Sequence, residues 1–455
     1  MTTHILTHAT VLTFDSEDAT FPDGAIAFSS STGNILGVGG TADLVAQHPD
    51  AVLHDCRDQI VTPGMVNTHT HLFQTLLKGL GADKPLSEWI SSMTAPAATH
   101  LTWDDCYVAA LHGCVEALTT GTTTLLDFMY VHPQPELIDA VVAAMTDCGI
   151  RGVAARGYVT SGGDVGMPHS LLEPIDAAME DARRAIAAYN YPGSLVKVGL
   201  APCMSWTVDE DTLRATRQLA DDTEALITTH LAESDFDVAE SERRYGCRDA
   251  ALMERTGMLG PDLVAVHCVQ CNDDDIRRLV DSGTGVSHNP CSNLYLGSGV
   301  APIPEMLAAG LRVGLGTDGP ASSNNLSMLH ALKFAALVPK GVRRDPRIMT
   351  ATQVMHMATR EGARVMGMDG QIGTLEPGKA ADIVVFASST PSISPVHDPV
   401  ASLVYSHRGD EVRDVWVGGR QVVADGAPTM VDAAATRERA TRAAHALAVR
   451  AGITA

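Results

Sequence analysis

Between about residues 61 and 367, short apolar runs alternate with helical stretches, the pattern of repeated βα units on a parallel sheet. The runs end near His69, Asp127, Arg156, Pro202, His230, His267, His288 and Asp318. Eight such units close a barrel, so the fold class read from the pattern is α/β, a (β/α)8 TIM-like barrel. The intervening helices carry their own signals. Thr102-Trp103-Asp104-Asp105 resembles a capping box, and Val108, Leu111, Val115 and Leu118 then share one face, which predicts a helix from about 103 to 118 ended by Gly121. Further helices are expected near Leu213–Asp221 and Ile303–Ala309.

The two ends of the chain read differently. Residues 1–60 contain Val11-Leu12-Thr13-Phe14, Ala25-Ile26-Ala27-Phe28 and Ile35-Leu36-Gly37-Val38-Gly39, separated by Pro and Gly. After about 368 come Ile372-Gly373-Thr374-Leu375, Ala381 to Phe386, Val412 to Val417 and Gln421-Val422-Val423. Each set is too short to bury a core alone, so both are expected to pack together as one discontinuous β-sandwich beside the barrel. The predicted organisation is 1–60 as the first part of the sandwich, 61–367 as the barrel, and 368–455 as the second part plus an Ala- and Arg-rich surface helix from about 432 to 450.

The polar residues at the run ends carry the chemistry. Alternate residues of a strand share one side, so His69 and His71, just after Pro63-Gly64, can hold one cation between two imidazoles. Ala225 to His230, Leu263 to His267 and Arg312 to Asp318 each deliver a further histidine or carboxylate at a carboxyl end, where parallel barrels assemble their sites. Three neutral imidazoles and a carboxylate suit Zn²⁺ or Fe²⁺ and leave room for a water, whose activation is hydrolytic chemistry. His230-Leu231-Ala232-Glu233 adds an acid three residues past a ligand, placed to protonate a ring nitrogen. In isolation the same glutamate reads as a helix-start residue in an acidic run, because Asp235, Asp237 and Glu240 follow.

Composition narrows the partners. Lys+Arg of 32 against Asp+Glu of 54 gives a net charge of −22, which repels phosphate backbones and anionic membranes; no nucleic-acid polymer and no membrane partner are expected. No apolar stretch reaches spanning length and the amino terminus lacks a basic-then-apolar signal, so a cytoplasmic location is expected. The nine cysteines are odd in number and scattered, the usage of reduced thiols; Cys268-Val269-Gln270-Cys271 has no second pair to complete a structural zinc site.

Pro63-Gly64-Met65-Val66-Asn67-Thr68-His69-Thr70-His71, Glu116 with Gly121-Thr122-Thr123, His230-Leu231-Ala232-Glu233, His267-Cys268, His288-Asn289-Pro290-Cys291-Ser292-Asn293, Gly316-Thr317-Asp318-Gly319 and Gly373 through Asp382 together resemble the amidohydrolase superfamily. The resemblance runs over essentially the whole chain. Within the superfamily it points to the branch of S-adenosylhomocysteine and methylthioadenosine deaminases and the chlorohydrolase-like triazine hydrolases. It implies one metal ion per chain held by His69, His71, His230 and Asp318. It further implies Asp318 as acceptor of the water proton, Glu233 as proton shuttle to the ring nitrogen, and His267 as hydrogen-bond partner of the reacting oxygen. No carboxylated-lysine motif is evident, since the fourth run ends Val198-Gly199-Leu200-Ala201-Pro202.

Four residues are expected to meet the substrate. Trp89, in a Leu-x-Glu-Trp segment that resembles the family's, can stack on a flat heterocycle. Arg156 can meet a carboxylate or ribose hydroxyl, or pair with nearby acids. His288 and Asn293, with Ser292, are expected to shape the pocket loop. The function read from the sequence is hydrolytic deamination of an aminated nitrogen heterocycle, with an adenosine-type compound foremost. The alternative is a triazine hydrolase releasing chloride or amine, and the rival from another class is a non-catalytic metal-binding scaffold. A homo-oligomer is expected, as such barrels frequently form symmetric assemblies.

Overall fold

The computed structural model describes residues 2–453. Five strands precede the barrel: β1 Thr3–Leu12, β2 Thr20–Ser29, β3 Ile35–Gly40, β4 Val52–Asp55 and β5 Gln59–Pro63. Eight follow: β6 Met65–Thr70, β7 Thr122–Met129, β8 Arg151–Tyr158, β9 Val196–Pro202, β10 Ile227–Leu231, β11 Leu263–His267, β12 Gly285–His288 and β13 Arg312–Leu315. Four more close the sequence: β14 Ile383–Ala387, β15 Val412–Val417, β16 Arg420–Ala424 and β17 Ala427–Pro428.

Strands β6 to β13 form a closed parallel barrel in chain order, with helices on its outside. Its strands are buried on both faces, as β7 (Thr-Thr-Thr-Leu-Leu-Asp-Phe-Met) illustrates with no exposed residue. Val66, Leu126, Phe128, Val153 and Val264 share one core cluster with Ala363 and Val365 of the helix Arg360–Val365. The helix Trp103–Thr119 begins at a capping box, where the Thr102 side chain accepts from the Asp105 N–H and the Asp105 carboxylate accepts from the Thr102 N–H. The other anticipated helices run Glu210–Thr223, Ile303–Ala308 and Ala433–Arg450. Arg450 of the last donates to Asp105 at 2.5 Å, clasping it to the helix Trp103–Thr119.

The remaining strands make one nine-stranded sheet, ordered β17-β16-β15-β14-β5-β1-β2-β3, with β4 pairing His4–Thr7 of β1 on the same edge where β5 pairs Thr10–Val11. Both chain ends contribute to it. The sheet curls so that Phe28 of β2 and Trp416 of β15, with three strands between them in the order, bring their rings to 5.9 Å. Leu6, Ile26, Ile383 and Val385 complete that core. A single residue, Gly64, separates β5 in this sheet from β6 in the barrel. A Cβ there would lie 2.0 Å from the Thr123 hydroxyl, which is why the hinge dipeptide ends in glycine. Arg151 at the start of β8 grips Asp382, one residue before β14, with two bonds of 2.7 and 2.9 Å.

Sequence reading and structure differ in several segments. Ile372 to Leu375 is not a strand: Gly373 takes φ +93° against Ala363, and the Leu375 N–H bonds the Thr13 carbonyl at 2.9 Å, so the segment is a packed turn whose apolar side chains fill a gap. Strands β4 and β5 and the helix Thr41–Gln47 were not anticipated, because Val52–Asp55 is largely exposed and the helix spans only 7 residues. Among the described residues no helix is long and apolar enough to cross a membrane.

Candidate metal centre and active-site cavity

His69 near the end of β6 and His71 just beyond it point to one side, with ring centroids 4.6 Å apart. Asp318 lies three residues past β13 and is drawn back over the barrel mouth by two bonds: its N–H to the His69 carbonyl at 3.0 Å, and its own carbonyl accepting from Thr70 Oγ1 at 3.0 Å. Asp318 Oδ1 then stands 3.2 Å from both His69 Nε2 and His71 Nε2. His230 from β10 brings its Nε2 to 3.3 Å from His71 Nε2.

The hydrogen bonds behind these rings decide their tautomers. His71 Nδ1 donates to the Phe128 carbonyl at 2.6 Å and His230 Nδ1 to the Cys203 carbonyl at 2.8 Å. Both Nε2 lone pairs therefore face the centre, the arrangement a metal-binding imidazole requires. Burial pushes the His69 pKa down to about 3 and that of His230 well below its ordinary value, so these rings are neutral, the form that can ligate a metal. Burial alone would raise the Asp318 pKa, but its contacts with His69 and His71 hold it far below the usual carboxylate range. Lone pairs and a carboxylate oxygen packed this closely repel one another unless a cation lies among them. His69, His71 and His230 form one metal-competent group and His69, His267 and Asp318 another, sharing His69. The donor set fits a divalent ion with nitrogen and oxygen ligands.

Two ionisable groups flank the centre. His267 ends β11 and donates its Nδ1–H to Asn293 Oδ1 at 2.8 Å, so its Nε2 faces the cavity, 3.5 Å from Glu233 Oε2. Burial would lower the His267 pKa, but the charges of Glu233 and Asp318 and the Asn293 bond outweigh it and raise the value. Glu233 is 5% exposed and accepts from Ser298 Oγ at 3.0 Å. Burial, opposed by His267, lifts its pKa to about 7. Ala232, His267, Cys268 and Asp318 all adopt φ between +48° and +71°, left-handed geometry that non-glycine residues rarely hold and that clusters at functional sites.

These groups open into a narrow cavity whose walls include Trp89, Met167, Trp206 and Leu296. Trp89 lines it, its Nε1 donating to the Ala321 carbonyl at 3.2 Å. The structure does not bring the other three expected substrate contacts to this wall. Arg156 is 1% exposed, bound to Glu173 at 2.6 and 2.9 Å and to Asp181 at 2.9 Å: of the two roles open to it, the structure shows pairing with acids. Asn293 sits behind His267, and His288 lines a separate small cavity of about 230 Å³ beside Asn293. Burial drives the His288 pKa down to about 3.

Sequence reasoning missed Gln74, Tyr130, Ser298 and Ser322. Gln74 and Tyr130 line the cavity and bond each other at 3.3 Å, while Ser322 and Ser292 donate to Asp318 Oδ2 at 2.9 and 2.5 Å. Only Gln74 had a usable signal, its place in the turn that follows the His-x-His pair.

A cluster of three histidines and an aspartate at the carboxyl rim of a parallel barrel, with an acid and an imidazole beside it, defines a barrel hydrolase built around a metal site. The chain belongs to the amidohydrolase family, whose profile matches residues 60–422. It is 34% identical over 430 residues to the 5-methylthioadenosine/S-adenosylhomocysteine deaminase of Desulforudis audaxviator, covering 94% of each chain. In structure it is similar to an adenosine deaminase from Xanthomonas campestris with bound zinc (TM-score 0.92, 28% identity, 98% of each chain). It is also similar to the atrazine chlorohydrolase of Arthrobacter aurescens TC1 complexed with zinc (TM-score 0.91, 27% identity, 97% of this chain and 100% of that one).

Proposed function

We propose that this chain is a metal-dependent aminohydrolase that replaces the amino group of a nitrogen heterocycle by oxygen and releases ammonia, with an adenosine-type compound as substrate. The observation that carries the reading is the convergence of His69, His71, His230 and Asp318, each within 3.3 Å of at least one other, beside the Glu233–His267 pair. The relatives named as deaminases of adenosine-type compounds support it.

One zinc or ferrous ion per chain, held by those four residues, supplies a Lewis acid that lowers the pKa of a water. Asp318, ionised at any working pH, accepts a proton from the water as its oxygen attacks the amine-bearing ring carbon. Glu233, with a pKa raised to about 7, delivers its proton to the adjacent ring nitrogen, where the attack builds negative charge. His267, oriented by Asn293, hydrogen-bonds the reacting oxygen. Glu233 then takes the hydroxyl proton of the tetrahedral carbon while Asp318 passes its proton to the departing amine. Ammonia and a ring carbonyl result, and both carboxyl groups are restored.

Trp89 is assigned to the ring face, and Asn293 and His288 to support of His267 and its loop. A cytoplasmic location and a homo-oligomeric assembly belong to the same proposal. Hydrolysis of chloride from a triazine ring would use the same water-activating residues and is favoured by the likeness to the atrazine chlorohydrolase. A non-catalytic scaffold would lack a ligand or the acid, yet all six polar groups converge. Metal analysis of the purified protein, with ammonia and chloride release measured on adenosine derivatives, aminopurines, pterins and triazines, separates these readings. Ammonia from a purine nucleoside supports the deaminase, chloride from a triazine supports the alternative, and metal without turnover supports the scaffold.

A further inference from the structure

The cavity at the metal centre does not end at its own wall. Leu86, Ile90, Met167, Trp206 and Leu296 line both it and a second, outer cavity of about 300 Å³. The neck between the two is therefore entirely apolar in its side chains, apart from the indole N–H of Trp206. That N–H is already committed to Asp237 Oδ1 at 2.7 Å. Beyond the neck the outer cavity continues with Val165 and Phe236, the latter packed edge-on against Trp206 at 5.5 Å, and with the polar Ser87, Ser91, Ser234, Asp235 and Ser298.

The charges that face this path have one sign. Glu233 and Asp318 line the inner cavity and Asp235 the outer one, and among the described residues neither lining includes a lysine or arginine. Arg156 lies two residues before the end of β8 and is the one arginine the sequence offered to a substrate carboxylate, but Glu173 and Asp181 hold it. A substituent that carries a carboxylate or phosphate would lose its hydration in the apolar neck and meet no cation beyond it, only serine hydroxyls and Asp235.

From these walls we infer that the ring substituent accepted here is uncharged and apolar, an alkyl or thioether group, and that substrates with a zwitterionic amino-acid tail or a phosphate are selected against. The inference rests on the deaminase reading and deepens it. The relative from Desulforudis audaxviator is named for both a thioether and an amino-acid-bearing nucleoside, and this chain is assigned the first kind. The apolar neck supplies binding to a methylthio group by burial alone, whereas the carboxylate of an amino-acid tail finds no counter-charge, since the outer lining offers serine hydroxyls and Asp235, which can pair only with the ammonium.

The test uses the full-length, metal-loaded protein with methylthioadenosine, S-adenosylhomocysteine and adenosine 5′-monophosphate. Expected is a kcat/KM for methylthioadenosine at least 100-fold above that for either charged compound. Equilibrium titration of the same three into the Glu233→Gln variant should show the same order of affinity, since the neck acts on binding. Met167→Lys, which puts an ammonium at the neck, should shift the preference toward S-adenosylhomocysteine by tenfold or more, while Met167→Leu leaves it in place. Equal or better turnover and binding of S-adenosylhomocysteine by the wild type would overturn the inference with deamination intact. Failure to release ammonia from any of the three, with tight methylthioadenosine binding, would instead strike at the deaminase reading.

Discussion

Replacing Glu233 by glutamine isolates the proton-delivery step from everything else in the cavity. The two side chains have nearly the same shape, and a glutamine oxygen can still accept from Ser298 Oγ, which lies 3.0 Å from the native carboxylate. The packing around a position that is 5% exposed is thus preserved. What disappears is a proton that can be given away. Burial lifts the Glu233 pKa to about 7, so near neutrality the native group holds a donor in a large fraction of molecules, while the amide never does. General acid catalysis is worth ~10²–10⁴-fold, or about 3–5 kcal/mol of barrier. Because Glu233 is absent from the metal-competent groups, the variant should keep its metal content and its thermal midpoint. Continuous measurement of ammonia release, with metal content on the same sample, gives both numbers. A kcat within threefold of wild type would refute the shuttle role, and metal lost together with activity would refute the separation of the two functions.

Asn293→Ala removes the bond that orients His267, 2.8 Å long, and should lower kcat about tenfold or more with KM little changed; restoration by Asn293→Asp, which also offers an acceptor, distinguishes orientation from packing. Loss of substrate affinity with kcat intact would instead make Asn293 a binding residue. Asp249 is buried with one bond, from Ser205 Oγ at 2.6 Å, and burial raises its pKa from 3.8 to about 7. Between those values the folded state binds the proton that the unfolded state has released, so its contribution makes stability fall as pH rises from about 4 to about 7. Asp249→Asn should flatten that slope and stabilise the protein at pH 8 by up to ~4 kcal/mol, read as a higher denaturation midpoint; an unchanged pH profile would contradict the assignment.

The elements that sequence reading recovered share a physical reason. A barrel strand is buried on both faces, so its apolar run is unbroken, and the polar residue that ends it is conspicuous: His230 and His267 stand out in this way. Asp318 was equally visible although it lies beyond its strand, because the run through Leu315 leads straight to it. Partnership across the chain was harder to read. The fate of Arg156 depends on acids 17 and 25 residues further on, in a loop and a helix whose facing no periodicity reveals. His288 ends a strand like the others but opens on a different cavity. Ser298 and Ser322 sit on loops, where hydroxyls are common and nothing local marks the two that support Glu233 and Asp318. The turn at Ile372 to Leu375 misled because its apolar residues fill a gap without pairing to a neighbour strand.

The account turns on four side chains from three separate stretches of chain sharing one ion. Crystals grown from zinc-loaded protein, with data collected at the zinc absorption edge, test this most directly. One anomalous peak per chain is expected, ~2.0–2.2 Å from Nε2 of His69, His71 and His230 and from a carboxylate oxygen of Asp318. A peak that lies elsewhere, or a fully loaded protein in which Asp318 or His230 stays out of coordination range, would contradict the assignment of the site.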